Sequence, residues 1–91
     1  MKWLEIIKLR SAGNSPGFLE KIPLSRTDLG QNGLVKIEYY RHAFLDTDLS
    51  KHLEWNSEQP EENGSTLGLR LSQAFKEFGL TDHSIWIEEK K

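Results

Sequence analysis

The chain reads as a two-layer α+β domain, a four-stranded antiparallel sheet with helices on one face, in the order β-(short α)-β-β-α-β. Three observations predict this. Residues 34–44 alternate apolar and polar positions with the period of a half-buried strand. Residues 66–78 place apolar side chains on one helical face. Runs rich in Ile and Trp stand near both ends of the 91 residues and supply two further strands.

The first strand spans residues 3–10. Leu4, Ile6 and Lys8 share one of its faces, and Trp3, Glu5, Ile7 and Leu9 share the other. Apolar side chains on both faces predict an interior strand covered on both sides, or one with a side turned to a partner. The break Ser11–Gly17 follows. Ser15 can cap a short helix with Pro16 at its first position, an apolar stripe of Phe18, Leu19 and Ile22, and a stop at Pro23. Residues 24–33 read as irregular or as a second short turn, closed by Gly30-Gln31-Asn32-Gly33 with its Asn-Gly turn signal.

In the second strand Val35, Ile37 and Tyr39 share a face opposite Lys36, Glu38 and Tyr40. Residues 49–56 fit two patterns. Leu49, Leu53 and Trp55 alternate as a strand, whereas Leu49 and Leu53 alone fit a helix capped by Asp48. The strand is preferred because the polar, acidic stretch 57–64 reads as a loop before the next helix. That helix runs over 66–78, with Leu67, Leu71, Ala74, Phe75 and Phe78 on one face and Ser65 or Thr66 as N-cap. Gly68 in its first turn suggests a close approach to a neighbour. Gly79 falls where a left-handed C-cap residue belongs. Residues 81–83 read as a turn and 84–88 as the last strand, with Ile85 and Ile87 opposite Trp86. Residues 88–91 form a charged tail, and the whole reads as one domain over residues 1–91.

Composition excludes several classes of chemistry. There is no cysteine, so disulfides, iron–sulfur clusters and cysteine-ligated zinc are ruled out. Absent staples favour a reducing compartment, and the expected location is cytoplasmic. Charges interrupt the apolar run Met1–Lys8 within a few residues, which fits neither a signal peptide nor a membrane span. Asn63-Gly64-Ser65 matches a glycosylation acceptor but reads better as a turn. Residues 1–45 hold seven Lys or Arg against four Asp or Glu, and residues 46–91 hold five against ten. That balance disfavours a nucleic-acid binder, which needs a concentrated basic surface.

The element order predicts a ferredoxin-like sandwich in which the helices cover one face and leave the other bare. If Val35, Ile37 and Tyr39 meet the helices, the bare face presents Trp3, Ile7, Tyr40 and Trp86. Such a patch marks an interface or a groove. It has three explanations: core residues assigned to the wrong face, pairing with a second copy, or a bound ligand. Trp, Tyr and Arg are the residue types of binding hot spots, and the expected interface is Trp3, Ile7, Tyr40, Arg41 and Trp86. The leading expectation is a protein-interaction or self-association module without intrinsic catalysis, acting as a homodimer or with another protein.

Chemistry-bearing residues are sparse. His42 and His52 can face each other across a hairpin whose loop carries Asp46 and Asp48, a set able to hold a divalent metal. The spacing lacks any tight ligand motif, and surface histidines beside a polar turn explain it better, so no metal or other cofactor is expected. No serine sits in a nucleophile elbow. Gly64–Gly68 opens a helix and could receive an anion, but Glu61 and Glu62 oppose one and ordinary capping suffices. Tyr40-Arg41 and Lys2-Trp3 are the residue types that stack RNA bases, yet residues 34–40 lack the Lys/Arg-Gly-Phe start of an RNA-recognition strand. The element order resembles that of small dimeric α+β barrel proteins, in which two ferredoxin-like chains pair through their sheets, sometimes around a small-molecule pocket. The resemblance is one of fold alone. It implies a second expectation, an enzyme or ligand-binding protein with a pocket between sheet and helices, where His42, His52 and Tyr40 would act.

Overall fold

The first strand of the chain is a central strand of the sheet. β1 (Lys2–Ser11) pairs antiparallel on one side with β3 (Asp48–Asn56) and on the other with β4 (Gly79–Ile87). β2 (Leu34–Arg41) pairs antiparallel with the outer side of β3, giving the order β2-β3-β1-β4. The structure, a computed structural model, describes residues 1–11 and 33–89. Within these, one helix, α1 (Thr66–Lys76), follows β3 and packs across β1 and β4. This is the ferredoxin-like α+β arrangement. The short helix expected over 15–22 and the irregular stretch expected from residue 24 to 32 lie outside the described residues.

Residues 48–56 form a strand, so the period-two reading of Leu49, Leu53 and Trp55 prevails over the helical one. All three are buried. The covered face joins Trp3, Ile7 and Leu9 of β1 to these residues, to Leu34 of β2 and to Leu67, Leu71 and Phe75 of α1. Ile37, Phe78 and Ile85 pack at its margin. Trp3 lies opposite Trp55, and their rings stack with centroids 5.3 Å apart. Each fully buried side chain of this size contributes about 1.5–3 kcal/mol.

Three local expectations need correction. A register shift between Leu34 and Lys36 turns Val35 outward to solvent, and Leu34 takes the core position that strict alternation gives to Val35. Gly79 does not close the helix in a left-handed conformation. Glu77 is the C-cap with φ −70°, and Gly79 already belongs to β4. A Cβ on Gly79 would stand 2.0 Å from the Arg10 carbonyl oxygen, so close strand approach is what requires glycine there. The turn expected over 81–83 is continuous strand, paired with β1 from Ile7 to Leu9.

One polar group joins the helix to the sheet. Glu5 stands mid-β1 on the covered face and is 0% exposed. Its Oε1 accepts from Ser65 Oγ at 2.6 Å and from Trp55 Nε1 at 3.1 Å. Its Oε2 accepts from the Ser65 amide at 3.1 Å and lies 2.5 Å from His83 Nε2. Ser65 is also the N-cap, its hydroxyl accepting from the Gly68 amide at 2.9 Å. The carboxylate therefore sits where the helix dipole favours negative charge, with charge-assisted bonds to both oxygens. Among the described residues no buried side-chain nitrogen or oxygen lacks a partner.

Two glycines let the backbone come this close. Gly64 has φ +94°, and a Cβ there would meet His83 Cε1 at 2.3 Å. A Cβ on Gly68 would meet Glu5 Oε2 at 1.8 Å, the close approach that its place in the first turn suggests. Alanine ordinarily stabilises a helix interior by about 1 kcal/mol over glycine. Gly68→Ala is expected to do the reverse and destabilise the fold by about 2–4 kcal/mol, because Glu5 cannot yield without losing its partners. Urea denaturation beside the exposed control Gln73→Ala checks this, and equal stability of the two variants would refute it.

Candidate functional site

The face of the sheet opposite α1 is crossed by no described element. Cross-strand register arranges it in rows. Leu4 lies between Glu54 and Trp86, Ile6 between His52 and Ser84, Lys8 between Ser50 and Asp82, and Arg10 between Asp48 and Leu80. On β2, Lys36, Glu38 and Tyr40 extend the first three rows beside Glu54, His52 and Ser50. Apolar and aromatic side chains thus alternate with charges of both signs.

The polar groups on this face are knitted together. Tyr40 donates to Glu38 Oε2 at 2.8 Å, and Lys36 Nζ lies 3.2 Å from Glu38 Oε1. The tyrosine hydroxyl, and then Lys36, hold the Glu38 carboxyl below its ordinary range. The Tyr40 ring packs on His52 with centroids 4.6 Å apart. His52 Nε2 lies 3.2 Å from Ser50 Oγ. Burial pulls the His52 imidazole below its ordinary value, Lys8 adds to this, and Glu38 and Glu54 oppose it. A serine beside an imidazole is the start of a nucleophile–base pair. Here Glu38 is already engaged by Tyr40 and Lys36, and no third group orients the ring among the described residues. Arg10 forks onto Asp48 through two bonds of 3.1 and 3.0 Å, which lowers the carboxyl of Asp48.

The expected interface residues divide. Tyr40 and Trp86 stand on the open face, and Trp86 is 58% exposed with its indole N–H on Ser84 Oγ at 2.8 Å. Arg41 is exposed at the end of β2. Trp3 and Ile7 do not join them, being 3% and 0% exposed in the core beneath α1. The physical reason is Glu5. It shares their face and is buried as the partner of the helix N-terminus, so α1 sits over this side of β1.

The polar set His42, Asp46, Asp48 and His52 does not converge. Register places His52 opposite Glu38, and the His42 amide bonds the Asp48 carbonyl at 2.9 Å, so the two imidazoles are not across from each other. His42 Nδ1 accepts from the Phe44 and Leu45 amides, both at 3.1 Å. Asp46 is exposed in the β2–β3 turn. Among the described residues no group of three or more His, Asp or Glu side chains is placed to hold a metal ion.

Two buried ionisable residues were not singled out by sequence, Glu5 and Lys51. Lys51 lies in β3 between Leu49 and Leu53, which gives it a core position by alternation, and it is 0% exposed. Its ammonium bonds the Tyr39 hydroxyl and lies 4.1 Å from the centroid of that ring. Desolvation pulls it from its ordinary 10.5 to about 8. Comparison with protein-family models, with curated proteins and with solved structures gives no match. Among the described residues no helix is long and apolar enough to cross a membrane.

Lys51 has a testable consequence. Its folded-state pKa lies below its unfolded value, so the unfolded chain binds more protons between about 8 and 10.5. The penalty for burying the charge is present in full below about 8 and is relieved as pH rises toward 10.5. Lys51→Met is expected to melt higher than the parent at neutral pH, with the gap closing in alkali. Melting curves from pH 7 up to pH 10 check this. Beyond 10.0 Tyr39, whose partly buried hydroxyl is pushed up by desolvation, adds an opposite dependence. A gap that stays constant with pH would overturn the assignment.

Proposed function

We propose that the protein is a self-association module that pairs two copies through the open sheet face, without intrinsic catalysis. The observation that carries this reading is Trp86. A large indole on a strand, more than half exposed, sits on a bare face beside Leu4 and in the next row to Ile6. Tyr40 and the 77% exposed Leu80 extend the patch to the other end of the sheet. Large apolar groups gathered on one face are the usual mark of a contact surface, and Trp and Tyr are its commonest anchors.

The charges of this face support a second copy as the partner. It carries Lys2, Lys8, Arg10 and Lys36 against Glu38, Asp48, Glu54, Asp82 and Glu88, four basic residues against five acidic. A nearly neutral face of mixed sign does not repel its own copy, and it offers both charges needed for a self-complementary contact. The same balance gives a polyanion such as nucleic acid little to bind.

Light scattering across a concentration series is expected to give twice the chain mass of 10.5 kDa. Trp86→Ala is expected to weaken the pairing about thirtyfold, or ~2 kcal/mol. Its effect on the stability of the monomer fold should stay within about 0.5 kcal/mol, since the indole is exposed there. A chain that stays monomeric throughout sinks the reading, as does a Trp86→Ala variant that loses its fold while pairing as before.

A further inference from the structure

β4 ends the sheet on the side of β1 away from β3. Three backbone bonds fix the phase of the ladders. The Ser11 amide donates to Thr47 and the Ser57 amide to Met1, at the two ends of the β1–β3 pair, and the Glu88 amide donates to Lys2 beside β4. Antiparallel strands turn the backbone groups of alternate residues to opposite sides. Odd-numbered residues of β1 therefore bond β3, and even-numbered ones bond β4. Leu80, Asp82, Ser84 and Trp86 stand opposite those even positions, Arg10, Lys8, Ile6 and Leu4. The amides and carbonyls of Thr81, His83, Ile85 and Ile87 point the other way, along the outer edge. Among the described residues no other backbone group bonds them.

This edge lacks the devices that keep strands apart. An exposed edge is commonly blunted by lysine, by proline or by a bulge. β2, at the far end of the sheet, has a register shift between Leu34 and Lys36 and carries Lys36 and Arg41. β4 pairs with β1 without a shift over all 9 of its residues and contains no lysine, arginine or proline. Its one carboxylate, Asp82, faces Lys8 across the ladder, so that charge is balanced within the chain.

The sequence of β4 also fits its own copy. A two-fold axis through His83, the midpoint of Gly79–Ile87, pairs two antiparallel β4 strands along their whole length. Thr81 then lies opposite Ile85 of the second copy, a β-branched pair. Asp82 lies opposite Ser84 of the second copy. Ser84 Oγ accepts from the Trp86 indole, so its own proton is free for the carboxylate. Moving the axis to Asp82 would set that carboxylate opposite itself. Moving it to Ser84 would set Asp82 opposite Trp86 and Leu80 opposite Glu88. The axis stands perpendicular to the sheet, so the open faces of both copies look the same way. Their apolar patches are joined and not covered.

We propose that β4 pairs antiparallel with β4 of a second copy about His83, joining two four-stranded sheets edge to edge. This goes beyond the face pairing, which buries side chains and leaves these backbone groups unbonded. The face axis lies parallel to the sheet and the edge axis perpendicular to it, so the two contacts together close a D2 assembly. One strand flank buries less surface than a sheet face, so the edge contact follows the face contact as concentration rises.

Amide hydrogen exchange, followed by nuclear magnetic resonance over a series of protein concentrations, tests this on the parent and on Thr81→Pro. Proline is tolerated in an edge strand where the lost N–H faces outward. Continued protection of the Asp82, Ser84 and Trp86 amides checks that the variant keeps its ladder to β1. At the top of the series the His83, Ile85 and Ile87 amides are expected to exchange about tenfold or more slowly in the parent than in Thr81→Pro. A mixture of isotope-labelled and unlabelled parent chains is expected to show an Overhauser contact between Asp82 Hα and Ser84 Hα of the second copy, which needs no variant. Unprotected His83, Ile85 and Ile87 amides at every concentration overturn the edge contact, and a mass of two chains would then leave the face reading standing. Protection that survives Thr81→Pro arises within the chain and also overturns it, and protection without the Overhauser contact overturns the register. A folded Thr81→Pro chain that stays monomeric while the parent pairs upholds the edge contact and overturns the face reading.

Discussion

Everything on the covered face is arranged around a carboxylate that has been taken out of water. Glu5 stands mid-strand and without solvent, a position that costs several kcal/mol unless its polar atoms are fully partnered. The fold supplies partners from three elements: Trp55 from β3, His83 from β4, and the amide and hydroxyl of Ser65 at the start of α1. The same contact sets the helix in place, because Ser65 caps α1 and holds Glu5 together. Gly64 and Gly68 are the steric conditions for this meeting. A hydrophobic core of this size gives cohesion but little directionality. The Glu5 node fixes which turn of the helix stands over which residue of the sheet.

Lys51 complements Glu5 in a way that bears on where function lies. Both are buried on the same face, but Glu5 is satisfied by directed bonds, whereas Lys51 has a tyrosine hydroxyl and no carboxylate among the described residues. Its depressed basicity is what that environment imposes. A perturbed lysine often signals catalysis. This one has no exposed surface through which a substrate could reach it, so its first consequence is for stability. The chemistry open to solvent lies on the opposite face of the sheet.

Much of the fold could be read from the chain. Helix α1 declares itself through Leu67, Leu71 and Phe75 because burial follows one period there, whereas β3 fits both a strand and a helix until Trp55 tips Leu49-x3-Leu53-x-Trp55 toward the strand that forms. β1 was legible as a strand and not as an oriented one. Its two faces are similarly apolar, and Glu5 on one of them carries no sign of burial in the local sequence, since nothing nearby reveals the serine sixty positions away that donates to it. The one available clue was that Lys8 and Arg10 charge the other face while Leu9 continues this one. Gly79 misled similarly. Its position after a helix suggests a cap, and its actual reason, the Arg10 carbonyl, belongs to a strand far away in sequence. Val35 was displaced by a bulge that carries no glycine and so leaves no local mark. Of the expected site, Tyr40, Arg41 and Trp86 lie at the surface, while Trp3 and Ile7 were lost with the orientation of β1.

The position of β1 also governs how the molecule can be made. β1 needs β4, a strand translated long after it: its second ladder runs from Trp3 with Ile87 to Ser11 with Gly79. Until β4 leaves the ribosome, one edge of β1 has unpaired amides and carbonyls, and Glu5 lacks His83. A nascent chain therefore holds an open strand edge next to a buried charge still missing one of its partners, the condition under which half-made sheets recruit a neighbour. Long-range closure of this kind also slows folding relative to proteins built from local contacts. For this protein the interval between synthesis of Ser65 and completion of β4 is the one in which the β4 edge of β1 and the Glu5 carboxyl both wait for their remaining partners.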